Sequence, residues 1–594
     1  MSVLEIPRIF FKGALAWDPI TTNNYDDFYD ENTDAPVFST EVDRVQAFRK
    51  NAIAAVTTKG NWNPHGTHRS LFYDSQISGV DLGAGTSIQD PFMASAAAFT
   101  GMLVDAEPYG ALSSQLFFDS MRFGIDGGYR ILCKRSARVT ARYINFSRNP
   151  ANAMIAGVAS VVWQTSFAKT DGLRIDAFDS PALQALAAAI EADDVLGISV
   201  RFNTYRTVYY DALELTNRTP EARAAGQALI DKLQAGGFQP NPARSVLVGV
   251  IGLWRKGEPL HEPGDRALVP PAKIANVAAA HVRVSKTALT LDLANSIQET
   301  TRDLHKADLG VLSVVAVAAK TAEVIALGTL AYAQYNRQAY EASAGIVTLP
   351  LTAQQAAVAA SQDIQLRDAQ GNVLLGEVAV RALPLTPNLY IDEGATDTAR
   401  FQIYERGAPA EGRRAVTVYE LPANAEAPSQ TYNYQSDDHG LVSFSVKGSA
   451  GGVVGYVPVV GNAAPAPSGG IDPQRYTYMY LRTLAADADV AALEPTWENV
   501  YTRVLANWNA MAPCMDNWLR LDDPDQVKAY ASALKRLTDP ANFESFLFMP
   551  VTRDMTQGER KLLYAFLDQP STQVVATAAH TPSHAQLSRA MRRG

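Results

Sequence analysis

The strongest indication of the fold class is the stretch Ser245-Val-Leu-Val-Gly-Val-Ile-Gly-Leu-Trp254. Its apolar residues are largely β-branched, and they do not alternate with polar residues as they would in a strand with one solvated face. The pattern therefore predicts a strand that is buried on both faces. We place this strand inside a β-rich N-terminal domain.

Strands and two helices are predicted on either side of this stretch. Ser180-Pro181 indicates a helix start, because serine is a good N-cap and proline suits the first helical position. Thr219-Pro220 indicates the start of a second helix in the same way, and Gly236-Gly237 is predicted to end it. Further strands are predicted at residues 6–17, 101–119, 130–148, 195–203 and 282–293.

The predicted fold is mainly β with added helices, an α+β chain of β-sandwich or jelly-roll-like domains followed by a C-terminal helical segment. Short strands bounded by turn residues favour sandwich-type domains in the second region. The predicted divisions are 1–294 for the N-terminal β-rich domain with two inserted helices, 295–463 for the sandwich-like region, 464–474 for a linker, 475–570 for the helical segment and 571–594 for a mobile tail.

Composition excludes some functions. The formal net charge of −9 argues against a general nucleic-acid binder, which needs a basic surface to displace counterions from phosphates. The first residues do not form a signal peptide, and no stretch approaches the length of about 20 apolar residues that spans a bilayer. Two cysteines far apart in sequence, Cys133 and Cys514, favour a reducing cytoplasm over a disulfide framework.

The densest polar and aromatic stretch of the chain is Asn61-Trp-Asn-Pro-His-Gly-Thr-His-Arg-Ser-Leu-Phe72. It carries two of the eight histidines, His65 and His68, which are three residues apart and could share a metal on a helix. A third ligand would be needed, and the nearest acids in a structured context are Asp105 and Glu107. A hydrogen-bonded loop histidine is the favoured interpretation of His68, and His65 resembles a turn residue.

Other polar groups give weaker signals. Arg138 and Arg142 have an even spacing that places them on one face of a strand, where they could bind an anion or simply lie exposed. Tyr109, Gln115, Asp119 and Arg122 could form a polar pocket, although turn and sheet-edge roles are commoner. Trp163, Trp254 and Trp508 lie in apolar runs and are predicted to be core residues. No dinucleotide, P-loop, nucleophile-elbow or zincin motif is present in the sequence.

Several short motifs in fixed order resemble one family, the iminophenyl-pyruvate dimer synthases of the violacein pathway and their chromopyrrolic acid synthase relatives. The motifs are Leu4-Glu-Ile-Pro-Arg-Ile-Phe-Phe-Lys-Gly13, Asn63-x-x-Gly-x-His68, Asp193-Asp-Val-Leu-Gly197, residues 248–258 and 345–351, Asn388-Leu-Tyr-Ile391 and Met549-Pro-x-Thr-Arg-Asp554. The spacing of the second motif departs slightly from the family pattern. The resemblance covers residues 2 to about 567.

The resemblance implies haem and the oxidative coupling of two indole-3-pyruvate imines. It also implies that family members continue into a ferritin-like helical domain, and Ser583-His-Ala-Gln-Leu587 resembles the start of that domain's first helix. We expect this sequence to lack the domain. In this scheme His68, with His65, is the candidate cofactor ligand, and the Arg138/Arg142 pair is the candidate carboxylate binder.

Two functions follow from the resemblance. The chain is either a scaffold or binding component of secondary metabolism, or an oxidative coupling enzyme that acts on α-imino acids beside a separately encoded ferritin-like partner. The absence of a compact acid–base or nucleophile motif in the sequence favours the first. A homo-oligomer is a further partner hypothesis, whereas nucleic acid and membranes are not expected as partners.

Overall fold

A computed structural model describes residues 3–17, 68–104, 115–148, 156–208, 243–274, 276–299, 305–318, 321–331, 335–422, 427–461, 474–511 and 519–570, together with a few short pieces. Strands hold the largest share of the described secondary structure, and helices are the minor part. The prediction of a mainly β chain with added helices is therefore confirmed. The helix predicted at Thr219-Pro220, the two acids Asp105 and Glu107, and His65 lie outside the described residues.

The first part of the chain forms a long antiparallel sheet. Its strands are β1 Arg8–Trp17, β4 Arg69–Asp81, β5 Thr86–Ser87, β6 Ala97–Val104, β7 Gln115–Gly124, β8 Arg130–Arg148, β9 Ala156–Ala168, β10 Arg174–Asp176, β11 Val195–Val208 and β12 Ala243–Arg255, while β2 Tyr29–Asp30 and β3 Ala35–Pro36 pair separately. β1 pairs with β12 on one side and with β4 on the other. Eight of the described strands therefore close into a cylinder, which leaves neither end of the sheet as an open edge.

The interior of the cylinder is filled with side chains. Phe72 lies 5.0 Å from Phe99 and 5.2 Å from Phe202, measured between ring centroids, and Trp163 stacks on Phe202. Helix α1 (Pro181–Ile190) adds Leu183 and other apolar residues to this core. The interior is therefore a packed aromatic core.

Two local predictions are confirmed here. The hydroxyl oxygen of Ser180 accepts a hydrogen bond from the backbone N–H of Leu183, as expected of an N-cap, and Pro181 is the first residue of α1. β12 is buried on both faces: Leu247 and Ile251 belong to the cylinder core, whereas Val248 and its neighbour Val250 pack against residues of the next sheet.

The second sheet covers the outside of the cylinder. Its strands are β13 Arg266–Val269, β14 Ala280–Val284, β15 Ala288–Asp292, β16 Val311–Val317, β17 Val324–Ala331, β18 Ile346–Pro350, β19 Asp363–Arg367 and β20 Val373–Val378, with helices α2 Arg337–Ala342 and α3 Ala353–Ser361. Because β15 pairs with β18, this sheet takes strands from both sides of residue 294. The division of the chain into domains stays a prediction.

Two further sheets follow and share one apolar core. One contains β21 Val380–Pro384, β23 Thr396–Glu405, β24 Ala408–Pro409 and β27 Leu441–Lys447, and the other contains β22 Asn388–Asp392, β25 Ala415–Pro422, β26 Gln430–Gln435, β28 Gly452–Val460 and β29 Met479–Leu484. Phe401 and Ile403 of the first sheet pack with Val418 and Leu481 of the second. β22 is parallel to β29.

Helices occupy much of the remaining described chain. They are α4 Ala488–Ala491, α5 Trp497–Val500, a π-helical turn Tyr501–Leu505, α6 Ala506–Met511, α7 Pro524–Ala529, α8 Ala531–Leu537, a 3₁₀ turn Pro540–Asn542 and α9 Gln557–Leu567. Their apolar residues pack on Met102, Val104 and Phe117 of the cylinder. Within the described residues, none of the helices combines the length and the apolar character that crossing a membrane requires.

A buried ion cluster joins the cylinder to the second sheet. Arg201 of β11 is 1% exposed, and its guanidinium donates to Asp265 at 2.7 Å and to Asp292 at 3.2 Å. Its Nε donates to the side-chain oxygen of Gln164 at 2.9 Å. One arginine therefore neutralises two carboxylates that belong to a different sheet.

Replacing this arginine is expected to destabilise the protein strongly. Arg201→Leu leaves Asp265 and Asp292 buried without their counter-charge, and should lower the free energy of unfolding by about 3–5 kcal/mol. Urea unfolding monitored by tryptophan fluorescence measures the loss. The control is Arg413→Leu, because Arg413 pairs with Asp438 at an exposed position and should change the stability little. Equal losses in both variants would contradict the role of the buried cluster.

Candidate functional site

Three stretches that the sequence singled out lie close together on the outside of the cylinder. They are His68, which directly precedes β4, residues 388–391 in β22, and residues 549–554. The amide nitrogen of Gln115 in β7 donates to the Tyr390 hydroxyl at 2.7 Å. The guanidinium carbon of Arg553 lies 3.5 Å from the centre of the Phe117 ring, and its charge also reaches His68. Gln115 and Phe117 of β7 therefore contact Tyr390 and Arg553 of two of these stretches, and His68 lies near enough to feel the charge of Arg553.

A cavity of about 320 Å³ opens between β22 and residues 540–560. Its size lies at the lower end of the usual range for small-molecule sites. The apolar lining consists of Leu389, Tyr390, Ile391, Leu484, Pro540, Phe543, Phe548 and Met555, and the polar lining of Asn388, Asp392, Glu544, Arg553 and Arg560. Tyr390 and Phe543 lie 4.6 Å apart between ring centroids. Aromatic walls with both charge signs suit a flat molecule that carries a charged group.

Arg553 organises the wall of this cavity. The side chain is 1% exposed, and its guanidinium donates to the backbone oxygens of Val551 at 2.8 Å, Ser545 at 2.9 Å and Phe543 at 3.4 Å. Its own backbone has a φ of +58°, a left-handed conformation that residues with a side chain rarely adopt. The three carbonyl contacts fix the path of the loop, so Arg553 supports the cavity instead of offering an open cation to a ligand.

The following residues place helix α9 against the cavity. The indole N–H of Trp508 donates to Asp554 at 3.3 Å, and Thr556 caps α9 with reciprocal hydrogen bonds to Glu559. Burial raises the pKa of Glu559 to about 8.

Trp163 and Trp508 are buried, as predicted, whereas Trp254 is only partly buried.

Arg560, in the first turn of α9, is the cation that the sequence did not single out. It is partly buried and lines the cavity, and among the described residues no ion pair involves it. An arginine in this setting can bind a carboxylate through two parallel hydrogen bonds. No sequence pattern marks this residue, because an arginine on a helix usually lies exposed. The neighbouring motif that ends at Asp554 pointed to this part of the chain, but not to the arginine itself.

His68 has the contacts of a core histidine. It is 2% exposed, and its Nδ1 lies 3.0 Å from the backbone oxygen of Leu103. Burial lowers the pKa of His68 to about 4, and the positive charge of Arg553 acts in the same direction. The imidazole is therefore neutral near pH 7.

The described surroundings of His68 do not fit a haem, because a macrocycle needs an open face beside the ring nitrogen and this residue is enclosed by packed protein. His65 lies outside the described residues, so the ligand roles of His65 and His68 stay predictions. The described residues also contain no group of three or more histidine, cysteine, aspartate or glutamate side chains that could hold a metal ion.

The structure brings together some of the other predicted site residues. Asp119 accepts a hydrogen bond from the backbone N–H of Phe546 at 3.3 Å, so Asp119 and Gln115 both border the site. Arg122, in contrast, pairs with Asp126, with 3.8 Å between its Nη1 and the carboxylate Oδ2.

The two strand arginines are placed by backbone pairing alone. Arg138 is opposite Phe117 and Arg142 is opposite Val162 in the register of β8. Their side chains lie outside the described part of the chain, as does Tyr109. Their role as carboxylate binders stays a prediction.

Comparison with known proteins supports the relationship that the motifs indicate. The chain is a distant relative of the dimer synthases. The particular relative found is the 2-imino-3-(indol-3-yl)propanoate dimerase of Chromobacterium violaceum, which is 25% identical over 410 residues. The match covers 66% of this chain and 35% of the dimerase, so it spans about a third of the relative's length. No protein-family model matches the chain.

Acid should destabilise the folded protein through His68. The unfolded histidine binds a proton below its ordinary pKa of 6.5, whereas the folded one does so only below about 4. Between these values the unfolded state holds more protons, so the free energy of unfolding falls as the pH drops, by about 3 kcal/mol in total.

Urea unfolding at a series of pH values between 6.5 and 4 measures this effect. His68→Gln keeps a donor for the Leu103 oxygen but does not titrate, so the loss of stability should become shallower. His439→Gln, at an exposed loop position, is the control for loss of a histidine. If the His68 variant kept the full pH dependence, the buried neutral histidine would not be its source.

Proposed function

We propose that the chain is a binding component of secondary metabolism that holds an aromatic α-imino or α-keto carboxylate in the cavity beside Arg560. The observation that carries the proposal is that residues 388–391 and Arg553, which belong to two family motifs, line one aromatic cavity together with Arg560. The name of the related dimerase specifies an imino acid that bears an indole ring. A ligand of that class has the flat ring and the carboxylate that the cavity suits.

The lining residues have complementary roles in this proposal. The ring of the ligand packs against the aromatic wall formed by Tyr390, Phe543 and Phe548, which removes one of its apolar faces from water. Its carboxylate pairs with Arg560. Asp392 or Glu544 accepts a hydrogen bond from an imine or indole N–H, since both carboxylates line the same cavity.

The alternative is an oxidative coupling enzyme that works beside a separate ferritin-like protein. The specific observation in its favour is that the curated relative is a dimerase. The chain matches only about a third of the dimerase, so the relationship alone does not assign the dimerase activity to this chain. Haem absorbance in the purified protein that disappears in His68→Ala would favour this alternative.

We also propose that residues 380–484 form a β-sandwich, because the two sheets there share a core, and that residues 488–567 form a C-terminal helical segment. We propose a cytoplasmic location because two cysteines far apart in sequence favour a reducing compartment. Cys133 is a buried free thiol, and burial raises its pKa strongly. A homo-oligomer remains a partner hypothesis.

Ligand binding tests the proposed function directly. Isothermal titration of the full chain with indole-3-pyruvate should show saturable binding. Arg560→Gln should weaken it about tenfold or more, because a charge-assisted hydrogen bond to the carboxylate is lost. Lys561→Gln is the matched control, because this neighbouring cation is exposed and bonds to Gln557. No binding by the unmodified chain, or equal binding by the Arg560 variant, would contradict the proposal.

A further inference from the structure

The edge strand β26 lies away from every motif discussed above. It is the last strand of its sheet, and among the described strands none pairs with its outer side. An open edge exposes backbone N–H and C=O groups that can pair with another chain, and natural proteins usually protect it with a charge, a proline or a bulge. The sequence of β26, Gln430-Thr-Tyr-Asn-Tyr-Gln435, has neither charge nor proline, and its register with β25 is regular. Its edge is therefore open to pairing.

Other edge strands carry the usual protection. β17 is interrupted by a bulge at Leu327, because Val314 and Val315 pair with Gly328 and Ala326. β18 ends at Pro350, which has no N–H to donate. β27 ends at the exposed Lys447. β26 differs from these three strands in having no such device.

The outward backbone groups of β26 follow from its pairing with β25. The N–H of Ser436 donates to the backbone oxygen of Arg414, and in an antiparallel pair only every second residue is bonded to the partner strand. Counting back from Ser436, the residues that direct their N–H and C=O groups to the open side are Thr431, Asn433 and Gln435.

The strand is also nearly symmetric about the middle one of these residues. Tyr432 and Tyr434 flank Asn433, and the neutral Thr431 and Gln435 lie beyond them. In an antiparallel pair centred on Asn433, Tyr432 of one chain would lie opposite Tyr434 of the other, and no charged residue of β26 would face another. A two-fold pair centred on a residue with outward backbone groups is hydrogen-bonded at its centre. β26 is therefore complementary to itself.

We propose that β26 pairs with β26 of a second copy of this chain, antiparallel and centred on Asn433, so that two sheets join across a two-fold axis. This symmetry favours a second copy over an extended segment of another protein, because an unrelated segment gains nothing from it.

The tyrosines of β26 support the same pairing. Tyr434 stacks on Phe444 with the ring centroids 4.7 Å apart, and Tyr432 continues the stack, 6.2 Å from Tyr434. Both tyrosines are only partly buried. The tyrosines of the second copy extend this stack across the two-fold axis and remove exposed ring surface from water.

Analytical ultracentrifugation of the full chain between about 1 and 100 μM, where a small interface dissociates, tests this pairing. A monomer–dimer equilibrium is expected. Asn433→Lys should weaken the association about tenfold or more, because it places like charges directly opposite each other. Asn433→Asp should do the same, and it keeps an acceptor for the Thr417 hydroxyl if the lysine disturbs the strand. An equimolar mixture of the two variants should associate again, because opposite charges then meet at the centre of the pair.

Two controls accompany these variants. Thr329→Lys introduces the same charge at an exposed position of β17 and should leave the association unchanged. Arg560→Gln should also leave it unchanged, so this test is separate from that of the proposed ligand cavity. Circular dichroism checks that each variant is folded. The proposal is overturned if the unmodified chain stays monomeric over the whole range, if Asn433→Lys associates as well as the unmodified chain, or if the mixture associates no better than either variant alone.

Discussion

The arrangement of the first two sheets depends on one buried arginine. A guanidinium removed from water must be paired or hydrogen-bonded, and Arg201 meets Asp265 and Asp292 in a single geometry. The aspartates lie just before β13 and at the end of β15, so this contact sets how the second sheet sits on the cylinder. Arg8 repeats the principle at another edge of the same interface, where its guanidinium contacts Asp81 and Thr348. Apolar packing of β12 brings the layers together, and these charges favour one relative orientation.

The local sequence pattern was sufficient to predict many individual strands and one helix. The strand Arg130–Arg148 matches its predicted bounds, and β12 is buried on both faces because its sequence has no polar face. The closure of the cylinder could not be predicted in the same way. The pairing of β1 with β12 joins residues more than two hundred positions apart, and nothing local to either strand specifies the partner. The single strand predicted at 282–293 is wrong, because the structure divides this range into the antiparallel strands β14 and β15, and its pattern did not indicate that β15 pairs with β18 across residue 294.

The candidate site shows a similar division. The motifs at 388–391 and 549–554 were visible in the sequence, and residues 388–391 and Arg553 line one cavity. Arg560 was not visible as a site residue in the sequence. An arginine among the polar positions of a helix has nothing to distinguish it until the fold places that helix beside β22. His68 drew attention through the density of polar and aromatic residues around it. Its Nδ1 lies beside the backbone oxygen of Leu103 and its side chain is buried, and its role as a cofactor ligand stays a prediction.

The closed cylinder also constrains the order in which this protein can be made. β1 leaves the ribosome well before β12, and β4 can pair with one of its edges early, but the other edge belongs to β12. Translation at about 5–20 residues per second separates these two strands by tens of seconds. During that time an apolar strand has an unpaired edge, which is the kind of surface that promotes aggregation. The nascent chain is therefore at greatest risk before residue 255 emerges, and chaperone binding to this interval would protect it.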